Sequence, residues 1–149
     1  MSQRGKQITF AVIDIMNKPG RNTERSIAYD VTVRIEFLDL ENRSLVVVKN
    51  GFLTQAGSNS FIEGIGKTGH RREVDFYPDE NWQLPVVYKW LDDDMIYAYD
   101  PASPLKSKKI GNKPVRARIT FEGTNLRLTR PIKYFVRPWQ DKIWIQLQK

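Results

Sequence analysis

The chain contains no cysteine. Disulfides, thiolate metal sites and cysteine nucleophiles are therefore excluded together. That suits a reducing compartment, and the expectation is a cytoplasmic protein. Histidine occurs once, as His70. A histidine-rich metal centre cannot be assembled from one imidazole, and beside Arg71 and Arg72 it reads as a solvated loop residue. Long apolar runs are missing too. Runs such as Leu45-Val46-Val47-Val48 are too short to cross a membrane, and residues 1–25 carry no stretch of signal-peptide character. No internal repeat, low-complexity tract or helical periodicity is visible.

What is present fits one globular domain of 149 residues, with 40% hydrophobic and 28% charged side chains. The net charge of +7 is unevenly spread. Residues 1–99 carry 12 Lys/Arg against 14 Asp/Glu, whereas residues 100–149 carry 12 against 3. Such asymmetry points to an acidic partner, or to basic residues that keep sheet edges soluble.

The chain alternates in period two, which sends successive side chains to opposite faces of a strand. Ile8, Phe10 and Val12 begin a first strand, after a polar and frayed segment 1–7. Ile27, Tyr29, Val31, Val33, Ile35 and Phe37 should point one way, with Asp30, Thr32, Arg34 and Glu36 the other. Shorter runs follow at 45–48, 72–77, 84–91 and 95–99. Pro85 argues for an edge strand or a strand start, since proline cannot donate to the ladder. Segments 55–70 and 100–113 read as long loops. Val115, Ala117, Ile119 and Phe121 then alternate with Arg116, Arg118, Thr120 and Glu122. After a Gly123-Thr124-Asn125 break, Leu126, Leu128, Ile132, Tyr134 and Val136 resume the apolar face. A last strand alternates Ile143, Ile145 and Leu147 with Trp144 and Gln146.

These runs predict an all-β fold, a two-sheet antiparallel β-sandwich of about eight strands. The closing hairpin over 114–138 resembles the final strand pair of immunoglobulin-like sandwiches. The resemblance is one of pattern and implies architecture alone, because the Cys-Trp-Cys framework of antibody domains is missing.

Two stretches carry candidate binding chemistry. Gly64-Ile65-Gly66-Lys67-Thr68-Gly69 has the spelling of a dinucleotide fingerprint but lacks the following helix. What survives is a candidate anion loop of Gly64, Gly66, Lys67, His70, Arg71 and Arg72, or else a plain hairpin loop. The second stretch is basic. Arg116, Arg118, Arg127, Lys133 and Arg137 should share the outer hairpin face with Phe135, and Lys106, Lys108 and Lys109 precede it. Cations interleaved with aromatics suit single-stranded nucleic acid. The plainer alternative is an ordinary charged face in which Arg116 or Arg118 pairs with Glu122 or Glu36.

Asp75, Asp79, Glu80, Asp92, Asp93 and Asp94 lack EF-hand spacing and read as solvated turns. No base–nucleophile pair is visible, and nothing in the chain calls for a cofactor. The expectation is a non-enzymatic interaction module that binds another protein or itself through sheet edges and loops. The alternative is a nucleic-acid-binding protein that uses the basic face of residues 106–137.

Overall fold

The computed structural model describes residues 7–16, 27–55, 73–126 and 130–148. Among them the chain forms eleven strands and no helix. In order these are β1 (Ile8–Met16), β2 (Ala28–Leu38), β3 (Ser44–Val48), β4 (Thr54–Gln55), β5 (Val74–Phe76) and β6 (Asn81–Trp90), then β7 (Ile96–Ala98), β8 (Lys109–Gly111), β9 (Val115–Thr124), β10 (Ile132–Trp139) and β11 (Lys142–Leu147). A five-stranded sheet runs β1-β6-β7-β8, with β4 also on β6. A six-stranded sheet runs β11-β10-β9-β2-β3, with β5 also on β2. The pairings are antiparallel, and the two sheets pack face to face as a β-sandwich. Eleven strands replace the expected eight or so because short pieces such as β4 and β8 carry too few residues to show alternation.

The core follows the alternation. Val31, Val33, Ile35 and Phe37 of β2 are at most 1% exposed. On β9, Val115, Ala117, Ile119 and Phe121 are buried beside them. The other sheet contributes Ala11, Ile13, Leu84, Val86, Val87, Ile96 and Ala98. Trp82 stacks on Phe76 with ring centroids 5.4 Å apart. Each fully buried large apolar side chain contributes about 1.5–3 kcal/mol, so the two apolar faces hold the layers together.

A second cluster lies on the opposite side of the five-stranded sheet. Phe52, Tyr88, Tyr97 and Tyr99 are buried there with Phe10 and Trp90 against them. The segment after β7 closes over it. The Lys106 N–H donates to the Tyr88 hydroxyl, and the Lys106 ammonium sits 5.2 Å from the Trp90 ring centroid.

Four sequence expectations are corrected. Tyr29 is exposed, not inward. Asp30 adopts a positive φ of 53°, and the β2–β9 register shifts between Tyr29 and Thr32. That bulge flips the phase, so Ala28 and Val31 point inward on either side of it. The Asp30 N–H leaves the ladder and donates to Asp75 Oδ1 at 3.0 Å. Pro85 lies inside a central strand, neither at an edge nor at a strand start. It faces Val12, where β1 shifts register after Ala11, and a bulge tolerates the missing N–H. Gln7 is not frayed, since its carbonyl accepts the Leu91 N–H at 2.9 Å. Finally, segment 100–113 is not all loop, because β8 lies within it.

The hairpin break also comes later than expected. Gly123 and Thr124 remain in β9, and Asn125 takes the left-handed turn position at φ 68°. Glycine is required at 123 for proximity. A Cβ there would lie 2.8 Å from the Tyr29 carbonyl oxygen, at the bulge.

Candidate nucleic-acid interface

The outer face of the six-stranded sheet gathers the basic side chains of β9 and β10. Residues directly opposite one another on paired strands project from the same face. Phe135 is opposite Arg116 and Lys133 opposite Arg118 on one side of β10. On its other side, Phe135 is opposite Gln146, Arg137 opposite Trp144, and Trp139 opposite Lys142. Beyond β9, Arg118 is opposite Glu36 and Arg34 is opposite Thr120. The expected grouping of Arg116, Arg118, Lys133, Phe135 and Arg137 therefore forms. Alternation alone produces it, because Val115, Ala117, Ile119 and Val136 are drawn into the core.

The cations differ in how they are engaged. Arg118 makes a salt bridge with Glu36. Burial pushes the Glu36 carboxyl up, but hydrogen bonds from Arg118 and Ser44 and the charges of Arg118 and Arg34 outweigh it, leaving the carboxyl below its ordinary value. Arg116 is braced: its Nη1 donates to Asn42 Oδ1 at 3.0 Å and to the Leu40 carbonyl at 3.3 Å. Its guanidinium lies 5.5 Å from the Phe135 ring centroid. Arg116, Lys133 and Arg137 make no salt bridge among the described residues.

Arg137 sits between two indoles, 4.7 Å from the Trp139 ring centroid and 4.9 Å from that of Trp144. Cation–π contacts of this kind hold a guanidinium and an aromatic face in register. Trp139 and Trp144 nevertheless remain 52% and 39% exposed. Neither indole belonged to the face expected from sequence: Trp139 reads there as a turn residue. Trp144 was findable, since it alternates with the inward Ile143 and Ile145.

Beside the braced arginine, Leu38, Asn42, Arg116, Arg118, Lys133 and Gln148 line a depression of about 500 Å³. Gln148 reaches it because its N–H donates to the Lys133 carbonyl at 2.8 Å, extending the β10–β11 pairing by one residue. A second groove, of about 550 Å³, separates the Asp39–Arg43 turn from residues 110–115. Its Arg43 is already paired with Asp39 and Glu41.

The lysines of 106–109 are placed elsewhere. Lys109 is on β8 of the five-stranded sheet, and Lys106 caps the aromatic cluster. Lys108 Nζ pairs with Asp100 at 3.3 Å and donates to the Val47 carbonyl at 3.0 Å. They do not extend the basic face. Arg127 lies outside the described residues, as do Gly64, Gly66, Lys67, His70, Arg71 and Arg72. The acidic residues hold turns. Asp93 accepts from the Met95 N–H at 3.0 Å and the Tyr97 hydroxyl at 2.8 Å, and Glu80 accepts from the Tyr77 N–H at 3.1 Å. No helix among the described residues is long and apolar enough to cross a membrane.

No family model, curated protein or solved structure matches the chain. The immunoglobulin likeness thus remains one of pattern.

Proposed function

We propose that this protein is a non-enzymatic binding module that holds single-stranded nucleic acid along the outer face of its six-stranded sheet. The observation that carries the reading is a track along β10. Cations without carboxylate partners among the described residues, Arg116, Lys133 and Arg137, interleave with Phe135, Trp139 and Trp144. Cations neutralise phosphates while aromatic faces accept bases, a combination tolerant of sequence. From Lys133 to Trp139 the track spans about 20 Å at roughly 3.4 Å per residue. That is long enough for a few nucleotides.

Fluorescence polarisation with a labelled oligothymidylate tests the reading. The wild-type chain should bind at low salt, and the Lys133→Ala/Arg137→Ala variant should bind far more weakly. Equal affinity of the two would remove it.

A second reading, protein binding or self-association, is favoured by one observation. Strand β11 ends the six-stranded sheet and exposes Trp144 and Leu147, the latter at 46%. Edge strands with exposed apolar residues template further strands. Sedimentation equilibrium separates the readings: an edge-paired dimer should dissociate when Leu147, whose N–H alternates away from β10, is replaced by proline, with oligonucleotide binding absent throughout. We further propose a cytoplasmic location, which fractionation of the native source tests.

A further inference from the structure

Resting on the single-strand reading, we propose that the depression beside Arg116 holds the terminal phosphate of the bound strand. Its lining consists of Leu38, Asn42, Arg116, Arg118, Lys133 and Gln148 and contains no carboxylate. Glu36 neutralises Arg118 from the neighbouring strand. Arg116 and Lys133 make no salt bridge among the described residues. An internal phosphodiester carries one negative charge, whereas a phosphomonoester carries about −1.5 to −2 near neutral pH. Two unpaired cations match the monoester.

The pocket is also prepared. Asn42 and the Leu40 carbonyl fix Arg116 from one side, and the Phe135 ring supports it from another. A guanidinium held in this way gives up little freedom on meeting a phosphate. Two polar atoms in the pocket wall are buried without a hydrogen-bond partner among the described residues, Arg116 Nε and Gln148 Oε1. Buried polar groups left unpaired call for a ligand or water. Arg116 Nε is a donor, which a phosphate oxygen satisfies. Gln148 Oε1 is an acceptor, which the phosphate cannot satisfy but a sugar hydroxyl or base amino group of the same nucleotide can. The unpaired set therefore asks for a nucleotide bearing a phosphate, not for a bare anion.

Position supports an end over an interior. The depression lies at the Lys133 end of the aromatic track, and the rings of Phe135, Trp144 and Trp139 lead away from it in one direction along β10. A strand anchored there by its end would lay its following bases over those rings.

The experiment compares oligothymidylates of one length with a 5′-phosphate, a 3′-phosphate, or hydroxyls at both ends. One phosphorylated end should bind about tenfold more tightly than the hydroxyl-ended strand, the worth of one charge-assisted contact. Lys133→Ala and Arg116→Ala should abolish that preference. Trp144→Ala should weaken all strands while keeping it. Lys133 is exposed, so Lys133→Ala carries the test even if Arg116→Ala does not fold. Equal binding of all three strands by the wild type would overturn the end pocket and leave the single-strand reading intact. Binding of none would overturn both. Displacement of the phosphorylated strand by inorganic phosphate at matching concentration would assign the pocket to a free anion and overturn the inference.

Discussion

Arg118 and Glu36 face each other across the β9–β2 pairing and are joined by a salt bridge. This pair sets the charge of the face. Glu36 silences one arginine of the hairpin and leaves its neighbours free. Glu36→Gln should therefore strengthen oligonucleotide binding and add to its salt dependence, because Arg118 becomes available to a phosphate. Titrations at several salt concentrations check this. Weaker binding by the variant would show that Glu36 positions the site instead of shielding it.

The exposed indoles should act in binding and the buried one in folding. Trp139→Ala and Trp144→Ala should each weaken a single strand by about 1–3 kcal/mol, the usual worth of one base stack, with thermal stability nearly unchanged. Trp82, stacked on Phe76 in the core, should do the reverse. Trp82→Ala should cost about 3–5 kcal/mol of stability. Binding titrations and denaturant melts on the three variants separate these roles.

Gly123→Ala should destabilise the fold by about 1–3 kcal/mol. The new methyl would meet the Tyr29 carbonyl at 2.8 Å and the Val31 Cα at 3.2 Å, both backbone atoms of the bulged strand. Urea denaturation gives the difference, and an unchanged midpoint would place β2 and β9 further apart than described.

Alkaline stability should reflect the second aromatic cluster. Burial, then the hydrogen bond to Asp93, push the Tyr97 phenol up to about 12. Burial, then the charge of Tyr88, push that of Tyr99 up to about 12. A folded pKa above the unfolded value means stability that is complete below pH 10 and is lost as pH rises towards 12. Melting temperature should therefore fall across that window, and ultraviolet titration should show these phenols ionising late. At the acid end the sign reverses. Asp93 is held below its ordinary value of 3.8 by the Met95 N–H and the Tyr97 hydroxyl. Its contribution is present above that value and lost as pH falls through the lower, folded one. Asp93→Asn should flatten the acid limb of the melting curve.

The sandwich was legible in the sequence wherever alternation ran unbroken. Val31 to Phe37 and Val115 to Phe121 were assigned to the correct face, and the basic face followed as their complement. Alternation fails where one residue changes phase. Asp30 at positive φ turned Tyr29 outward, and no local composition marks that position. Pro85 misled for a related reason: its rule concerns hydrogen bonds, and a bulge at Val86 on its own strand removed the conflict. Proximity in sequence also overstated the site. Lys106 and Lys108 precede the hairpin, but Lys106 caps the other sheet's aromatic cluster and Lys108 is tied to Asp100 and the Val47 carbonyl. The parts that long-range pairing supplies, Asn42 bracing Arg116 and Gln148 at the pocket wall, carry no sequence signal at all.

The most direct test is the salt dependence of oligothymidylate affinity for the wild type and for Arg116→Ala/Lys133→Ala/Arg137→Ala. Each phosphate contact on a single strand contributes a slope of about −0.7 in log affinity against log salt. Contacts from these three cations should give the wild type a slope near −2, by roughly the same rule, and the variant should lose most of both slope and affinity. A wild type that binds no strand at low salt, or a variant that binds with the same slope, would contradict a nucleic-acid role for this face.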